Sequence, residues 1–246
     1  MSALLEVDSL TTGYGDARAV SDLSLNVRAG EVLALVGANG AGKSTLLRTI
    51  AGAHRPWAGR IVFGGEDITA VSDYQRTRRG ISLVPEGRRL FPGLSVRENL
   101  MIGASSGRRG AWTLRTVVEA IPLLEPLLRR SAARLSGGQQ QAVAIARGLM
   151  SNPQILLLDE VSLGLAPIVV DEIYDSLASV RTAGLGIVLV EQDLTRALRF
   201  ADEVICMLEG RNVLAGPAAE LSRERITDAY FGHSARPARS TDGVTS

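Results

Sequence analysis

The chain has 246 residues, 46% of them hydrophobic, and 27 basic residues against 26 acidic ones give a formal net charge of +1. This is long enough to bury a substantial core, and so even a charge balance offers no polybasic surface, so no nucleic-acid partner is expected. A single cysteine, Cys206, excludes an intrachain disulfide, and two histidines, His54 and His233, exclude a histidine-rich metal site.

In chain order, residues 4–7, 23–27 and 60–63 alternate between apolar and polar, the pattern of half-buried antiparallel strands. Residues 32–36 are instead continuously apolar, as in a strand buried on both faces. Glycines follow, and then residues 45–51 place Leu46, Leu47 and Ile50 at helical spacing. Residues 81–84, 155–158 and 187–190 read as further central strands. Between them run helical patterns through Ala142, Ile145, Ala146 and Leu149, and through Ile168, Ile173, Leu177 and Val180. Strands alternating with helices predict an α/β core with a largely parallel sheet. Cys206 lies in the apolar run 204–208 and is expected in the core.

The stretch 88–135 breaks this rhythm with Pro92, a Gly/Ser/Arg segment at 105–110 and a periodic run through Leu114, Val117, Ile121, Leu124 and Leu128. It reads as a small helical subdomain inserted in the core, its helices kinked or divided by Pro122 and Pro126. The expected organisation is one domain over 1–232. Residues 1–87 hold the β-subdomain and the first part of the core, and 136–232 hold the rest. The polar stretch 233–246, rich in Ser, Arg, Pro, Thr and Gly, is expected to be a disordered tail. No apolar stretch approaches 18 residues and the N-terminus lacks a basic n-region before an apolar one, so the chain is expected to be neither secreted nor membrane-spanning.

The strongest local signal is GANGAGKST at 37–45, which fits G-x-x-x-x-G-K-[ST] between a buried strand and a helix. Glycines let the backbone turn its N–H groups around phosphate oxygens, and the helix N-terminus points at the same charge. Gly37, Asn39, Gly40, Ala41, Gly42, Lys43, Ser44 and Thr45 are the candidate nucleotide contacts, with Lys43 on the β- and γ-phosphates and Ser44 on Mg²⁺. Downstream, ILLLDE at 155–160 ends an apolar strand in two carboxylates. Asp159 is placed to hold Mg²⁺ through water, and Glu160 to orient or polarise the attacking water.

LSGGQQQ at 135–141, with the phosphate loop before it and the acidic strand after it, resembles the signature segment of ATP-binding cassette (ABC) ATPases. The resemblance covers residues 4 to about 232. It implies a P-loop NTPase fold, with a RecA-like core, an N-terminal antiparallel β-subdomain and an inserted helical subdomain, and it implies ATP hydrolysis with Mg²⁺. In that family two ATPases pair head to tail, which puts Ser136, Gly137 and Gly138 on the γ-phosphate of the partner's nucleotide. A Ser-Gly-Gly segment opening a helix supplies donors and room for that approach, and Ser136 can also act as an N-cap. Tyr14 falls where the family stacks an aromatic ring on adenine, although a tyrosine ending a first strand can equally serve packing.

Two positions depart from the broad family pattern. Glu86, in VPEGRR, stands where most members carry glutamine, and remains able to contact Mg²⁺ or its water. Gln192, in LVEQD, stands where most carry histidine; its amide can bond the γ-phosphate or the water but cannot take up a proton near neutral pH. This moves the chemical weight onto Glu160. VPEGRRLFPGLSVRENL, DEVSLGLAP and LVEQD together are similar to the shorter of the two ATPases of branched-chain amino acid importers. Val161 replaces a usual proline, and a β-branched residue there is expected to keep the backbone extended. SLGLAP at 162–167 is, by resemblance, the dimer-contact loop.

The resemblance implies a second homologous ATPase as partner, with a homodimer possible in isolation, two transmembrane permeases, and an extracytoplasmic solute-binding protein. The expected location is peripheral, on the cytoplasmic face of a bacterial-type membrane. Leu90, Phe91 and Leu94 among Arg88, Arg89 and Arg97 form a candidate docking surface for a permease helix, or else a local mini-core; exposure of Phe91 discriminates the two. Other cargoes for the same ATPase are urea, short amides and aromatic acids. A ribosome- or DNA-directed ABC ATPase and a non-hydrolysing subunit are the rival classes. The single cassette with an insert of ordinary size opposes the first, and Lys43, Asp159 and Glu160 oppose the second.

Overall fold

The computed structural model describes residues 3–181 and 184–231. The expected tail, 233–246, lies outside the described residues.

The N-terminal strands β1 (Leu5–Tyr14) and β2 (Ala17–Val27) form a long antiparallel pair, with β4 (Ala58–Phe63) and the short β5 (Glu66–Asp67) completing a sheet of order β2-β1-β4-β5. These strands run further than their apolar alternation predicts. Pairing continues past Leu10 through register shifts that reset which residues face inward.

The second sheet has the order β10-β9-β3-β8-β7-β6. Its members are β3 (Val32–Gly37), β6 (Ile81–Val84), β7 (Ile155–Asp159), β8 (Gly186–Glu191), β9 (Glu203–Leu208) and β10 (Arg211–Pro217). β3 pairs in parallel with both β8 and β9, while β10 is antiparallel to β9. β3, β7 and β8 are buried at every position, as their unbroken apolar runs predict. Cys206 on β9 is buried.

Helix α1 (Lys43–Ile50) lies between the two sheets, its Leu46, Leu47 and Ile50 sharing a core with Leu5, Leu23 and Leu157. Its last carbonyls, on Thr49 and Ile50, accept bonds of 2.8 Å from the buried guanidinium of Arg76 on α2 (Asp73–Arg79). Arg76 therefore caps α1 from outside the helix.

The inserted subdomain contains α3 (Val96–Gly103), opened by a Ser95/Glu98 capping box, and α4 (Leu114–Ala120), capped by Thr113. The periodic run predicted as helical through Leu128 stops at Pro122, where a 3-10 segment (Pro122–Leu127) takes over; proline cannot continue an α-helical ladder. The subdomain shares one core with α5 (Gly137–Leu149) and α6 (Pro167–Arg181). Two further helices, α7 (Leu194–Phe200) and α8 (Arg223–Phe231), complete the fold. No described helix is long and apolar enough to cross a membrane.

Candidate functional site

Parallel pairing brings the C-terminal ends of β3, β7 and β8 to one edge: Val36 sits opposite Glu191, and Asp159 opposite Val190. Such an edge is where open α/β sheets place their ligands. The loop after β3 returns to α1 through Gly42, whose φ of 97° is left-handed and where a side chain would overlap the carbonyl of Ala19. Lys43 follows, almost wholly buried, its Nζ donating to the carbonyls of Gly37 (2.7 Å) and Ala38 (3.0 Å). Burial pulls the Lys43 pKa below the ordinary lysine value, against the attraction of Glu160 and Asp159.

The Ser44 hydroxyl donates to Asp159 Oδ1 at 2.8 Å. The other oxygen, Oδ2, is buried and has no hydrogen-bond partner. Burial pushes the Asp159 carboxyl above its ordinary value, and the bond from Ser44 opposes this. A buried carboxylate oxygen without a donor is the expected residue of a cation site or of a cation's water. Among the described residues no three His, Cys, Asp or Glu cluster as metal ligands. The donorless Asp159 Oδ2 and the Ser44 hydroxyl beside Oδ1 fit Mg²⁺, which takes few protein ligands and completes its shell with phosphate oxygens and water.

Glu160 leaves β7 in a left-handed conformation, φ 50°, with its N–H donating to the Val190 carbonyl at 3.2 Å. Its carboxylate accepts a 2.8 Å bond from Gln192 Nε2. Asn39, Gly40, Gly42, Lys43, Ser44, Thr45, Glu86, Glu160 and Gln192 line one cavity of about 350 Å³, together with Leu163 of the SLGLAP segment and Ala19, which no sequence pattern marked. Ala41 instead turns its methyl into the core. Gly37 ends β3, where a side chain would press on the Met207 carbonyl. Asp159 lies behind the cavity wall and reaches it through Ser44. Tyr14, at the end of β1, is 49% exposed, with its ring 4.6 Å from that of His54.

Ser136, Gly137 and Gly138 are outside this cavity lining. Ser136 caps α5 through a reciprocal box with Gln139. The glycine pair, which capping leaves unexplained, has a packing cause at one position: a Cβ on Gly138 would overlap Val169 of α6. The expectation for Val161 needs correction. It does not continue extended backbone but is the second residue of the turn that begins at Glu160, whose carbonyl accepts from the Leu163 N–H, and its side chain is 1% exposed, in the core shared with the helical subdomain.

Phe91 is 49% exposed, whereas Leu90 and Leu94 are half-buried. Its loop is held by buried Asn99, which accepts from the Phe91 N–H (2.9 Å) and donates to the Phe91 carbonyl (3.1 Å). Gly87, Arg88 and Arg89 are consecutively left-handed, with φ of 78°, 63° and 46°. Arg147 of α5 donates to the carbonyls of Arg89 (2.7 Å) and Arg88 (3.0 Å), an anchor with no signal in the sequence.

Residues 20–162 match the family described as ABC transporter. The chain is 40% identical to the high-affinity branched-chain amino acid transport ATP-binding protein BraG of Pseudomonas aeruginosa, over 93% of this chain and 100% of that protein. It is 32% identical to the lipopolysaccharide export system ATP-binding protein LptB of Haemophilus influenzae, over 94% and 98%. Its fold is similar to the crystal structure of a nucleotide-free ATP-binding cassette from an ABC transporter, with a TM-score of 0.78 and 28% identity over 93% of this chain and 95% of that one. The β-subdomain, RecA-like core and helical subdomain are those of that fold. The chain thus belongs to the ABC transporter family, as an ATP-binding subunit that hydrolyses ATP with Mg²⁺ and couples it to transport.

Proposed function

We propose that this subunit serves an importer of branched-chain or other hydrophobic amino acids, with Glu160 as the carboxylate that orients and polarises the attacking water. The hydrogen bond between Gln192 Nε2 and Glu160 Oε2 carries the chemical part of this reading. It joins two residues that line the same cavity as Lys43 and Ser44.

Lys43 neutralises the β- and γ-phosphate charge; on phosphate binding it exchanges its bonds to the Gly37 and Ala38 carbonyls for phosphate oxygens. The backbone of residues 37–42 and the backbone N–H groups of Ser44 and Thr45, in the first turn of α1, complete the cradle. Ser44 and Asp159, together with Glu86 of the same cavity lining, would hold Mg²⁺, which would supply positive charge against that developing on the phosphate. Gln192 fixes the Glu160 carboxylate and offers an amide to the γ-phosphate, without moving a proton itself. Tyr14 stacks on adenine. In a head-to-tail pair, Ser136, Gly137 and Gly138 meet the partner's nucleotide.

The cargo reading is supported by the VPEGRR and LVEQD motifs and by BraG, whose name states branched-chain amino acid transport and whose whole length this chain covers. The partners are then a homologous ATPase, two permeases and a solute-binding protein, and the chain sits peripherally on the cytoplasmic face. Exposed Phe91, braced by Asn99, supports a docking role over a mini-core. The test is ATP hydrolysis by the subunit assembled with its permeases. Solute-binding protein loaded with leucine, isoleucine or valine should stimulate it. Stimulation only by urea, short amides or aromatic acids would overturn the cargo assignment.

A further inference from the structure

Glu191, the last residue of β8, is 1% exposed, yet no nucleotide role reaches it: it points away from the cavity that its neighbour Gln192 lines. A buried carboxylate is tolerated only when donors surround it. Here they come from three places. Ser162 Oγ lies 2.7 Å from Oε1 and 2.9 Å from Oε2. The backbone N–H groups of Gln192 (3.0 Å) and Asp193 (3.2 Å) donate to Oε1. The Tyr174 hydroxyl on α6 donates to Oε2 at 2.7 Å. Burial, then the charge and hydrogen bond of Glu191, push the Tyr174 phenol far up, so it stays a donor.

Apart from Tyr174 on α6, these donors belong to two separate turns. Ser162 is in the turn that begins at Glu160; the N–H groups of Gln192 and Asp193 belong to the turn after β8. The tips of the same two turns meet in the Glu160–Gln192 bond. A ring is thereby closed from Glu160 through Ser162, Glu191 and Gln192 back to Glu160, with Tyr174 tying it to α6. The left-handed backbone at Glu160 gives that turn a reason to need such a tie.

We propose that Glu191 is a positioning residue for hydrolysis: its carboxylate gathers both turns and so sets the geometry in which Gln192 meets Glu160. The inference rests on the reading of Glu160 as the hydrolytic carboxylate. A misplacement of about 1 Å at such a centre is enough to slow turnover severely. Since the hydrogen bonds of the Glu191 carboxylate go to Ser162, Tyr174 and the backbone of Gln192 and Asp193 rather than to the phosphate loop, its loss should act on kcat and leave nucleotide binding alone.

The experiment measures steady-state ATP hydrolysis, nucleotide affinity and thermal stability of the full chain. E191Q keeps the shape but sets an amide among donors, and S162A removes the tie from the other side without touching the buried carboxylate. Each should lower kcat on the order of tenfold at unchanged ATP affinity, S162T should restore most of the loss, and Y174F, which leaves both turns tied, should lower kcat less than S162A. Wild-type kcat in folded S162A and E191Q, or equal losses in affinity and kcat, would overturn the proposal, as would failure of S162T to rescue. E160Q runs beside them: its inactivity together with a wild-type E191Q strikes Glu191 alone, whereas an E160Q at wild-type rate strikes the reading of Glu160 and this inference with it.

Discussion

Gln192 Nε2 stands 2.8 Å from Glu160 Oε2, an amide donating to the carboxylate that follows the buried Asp159. In this arrangement Gln192 can hold Glu160 but cannot replace it. E160Q is expected to bind ATP normally and to lose turnover by roughly a hundredfold or more. Q192A should lose less, on the order of tenfold. Single-turnover hydrolysis beside nucleotide titration checks the order; a larger loss at Gln192 would reverse the division of roles.

Asp159 and Lys43 both trade stability for function. The folded-state pKa of Asp159 is raised, so its contribution to stability is full below the unfolded value and is lost as pH rises through the folded one. The folded-state pKa of Lys43 is lowered, so its contribution is present above the unfolded value and lost as pH falls through the folded one. At neutral pH both charges weigh against the nucleotide-free fold. D159N is expected to raise the melting temperature of the nucleotide-free chain by roughly 2–4 °C, corresponding to about 1 kcal/mol. It should also reduce the further rise on adding Mg²⁺ with ATP. Scanning calorimetry at pH 7 with and without Mg²⁺-ATP checks both signs.

Gly138 is the place to separate packing from phosphate contact. G138A forces a methyl into Val169 and should cost about 1–3 kcal/mol of stability. G138A/V169A makes room and should recover it. If ATP turnover stays low in the double variant once stability is restored, the glycine serves the partner's nucleotide as well as the α5–α6 contact; full recovery assigns it to packing.

Tyr14 presents an exposed ring at the end of β1. Y14A should weaken ATP binding roughly tenfold, from a stacking contribution of about 1–3 kcal/mol per base. Y14F should bind like the wild type, and GTP should lose as much as ATP. Fluorescent-nucleotide titration checks this, and unchanged affinity in Y14A assigns the ring to packing on His54.

The central strands and the phosphate loop were legible because burial on both faces and a glycine-constrained turn leave strong local marks in the residues that form them. Helix α2 was not: in DYQRTRR the buried side chain is Arg76, a capping cation with no apolar period around it. Nothing local marks Glu191 beyond its place in LVEQD, since a glutamate ending an apolar strand looks solvated until Ser162 and Tyr174 arrive from elsewhere in the chain. The turn at Val161 is not legible from that residue, because its backbone follows the left-handed Glu160 and its own β-branched preference does not decide that turn. The Arg147 anchor is equally long-range, joining α5 to a loop on the far side of the helical subdomain in sequence.

That anchor makes α5 a strut with a different client at each end. Its capped start carries the segment assigned to the partner's nucleotide, and about 16 Å along its axis Arg147 grips the left-handed bend leading from Glu86. One helix thus joins the two regions directly, with no loop between them. If the proposed head-to-tail pair forms, α5 is the covalent link between the segment facing the neighbour's nucleotide and the chain's own bend after Glu86.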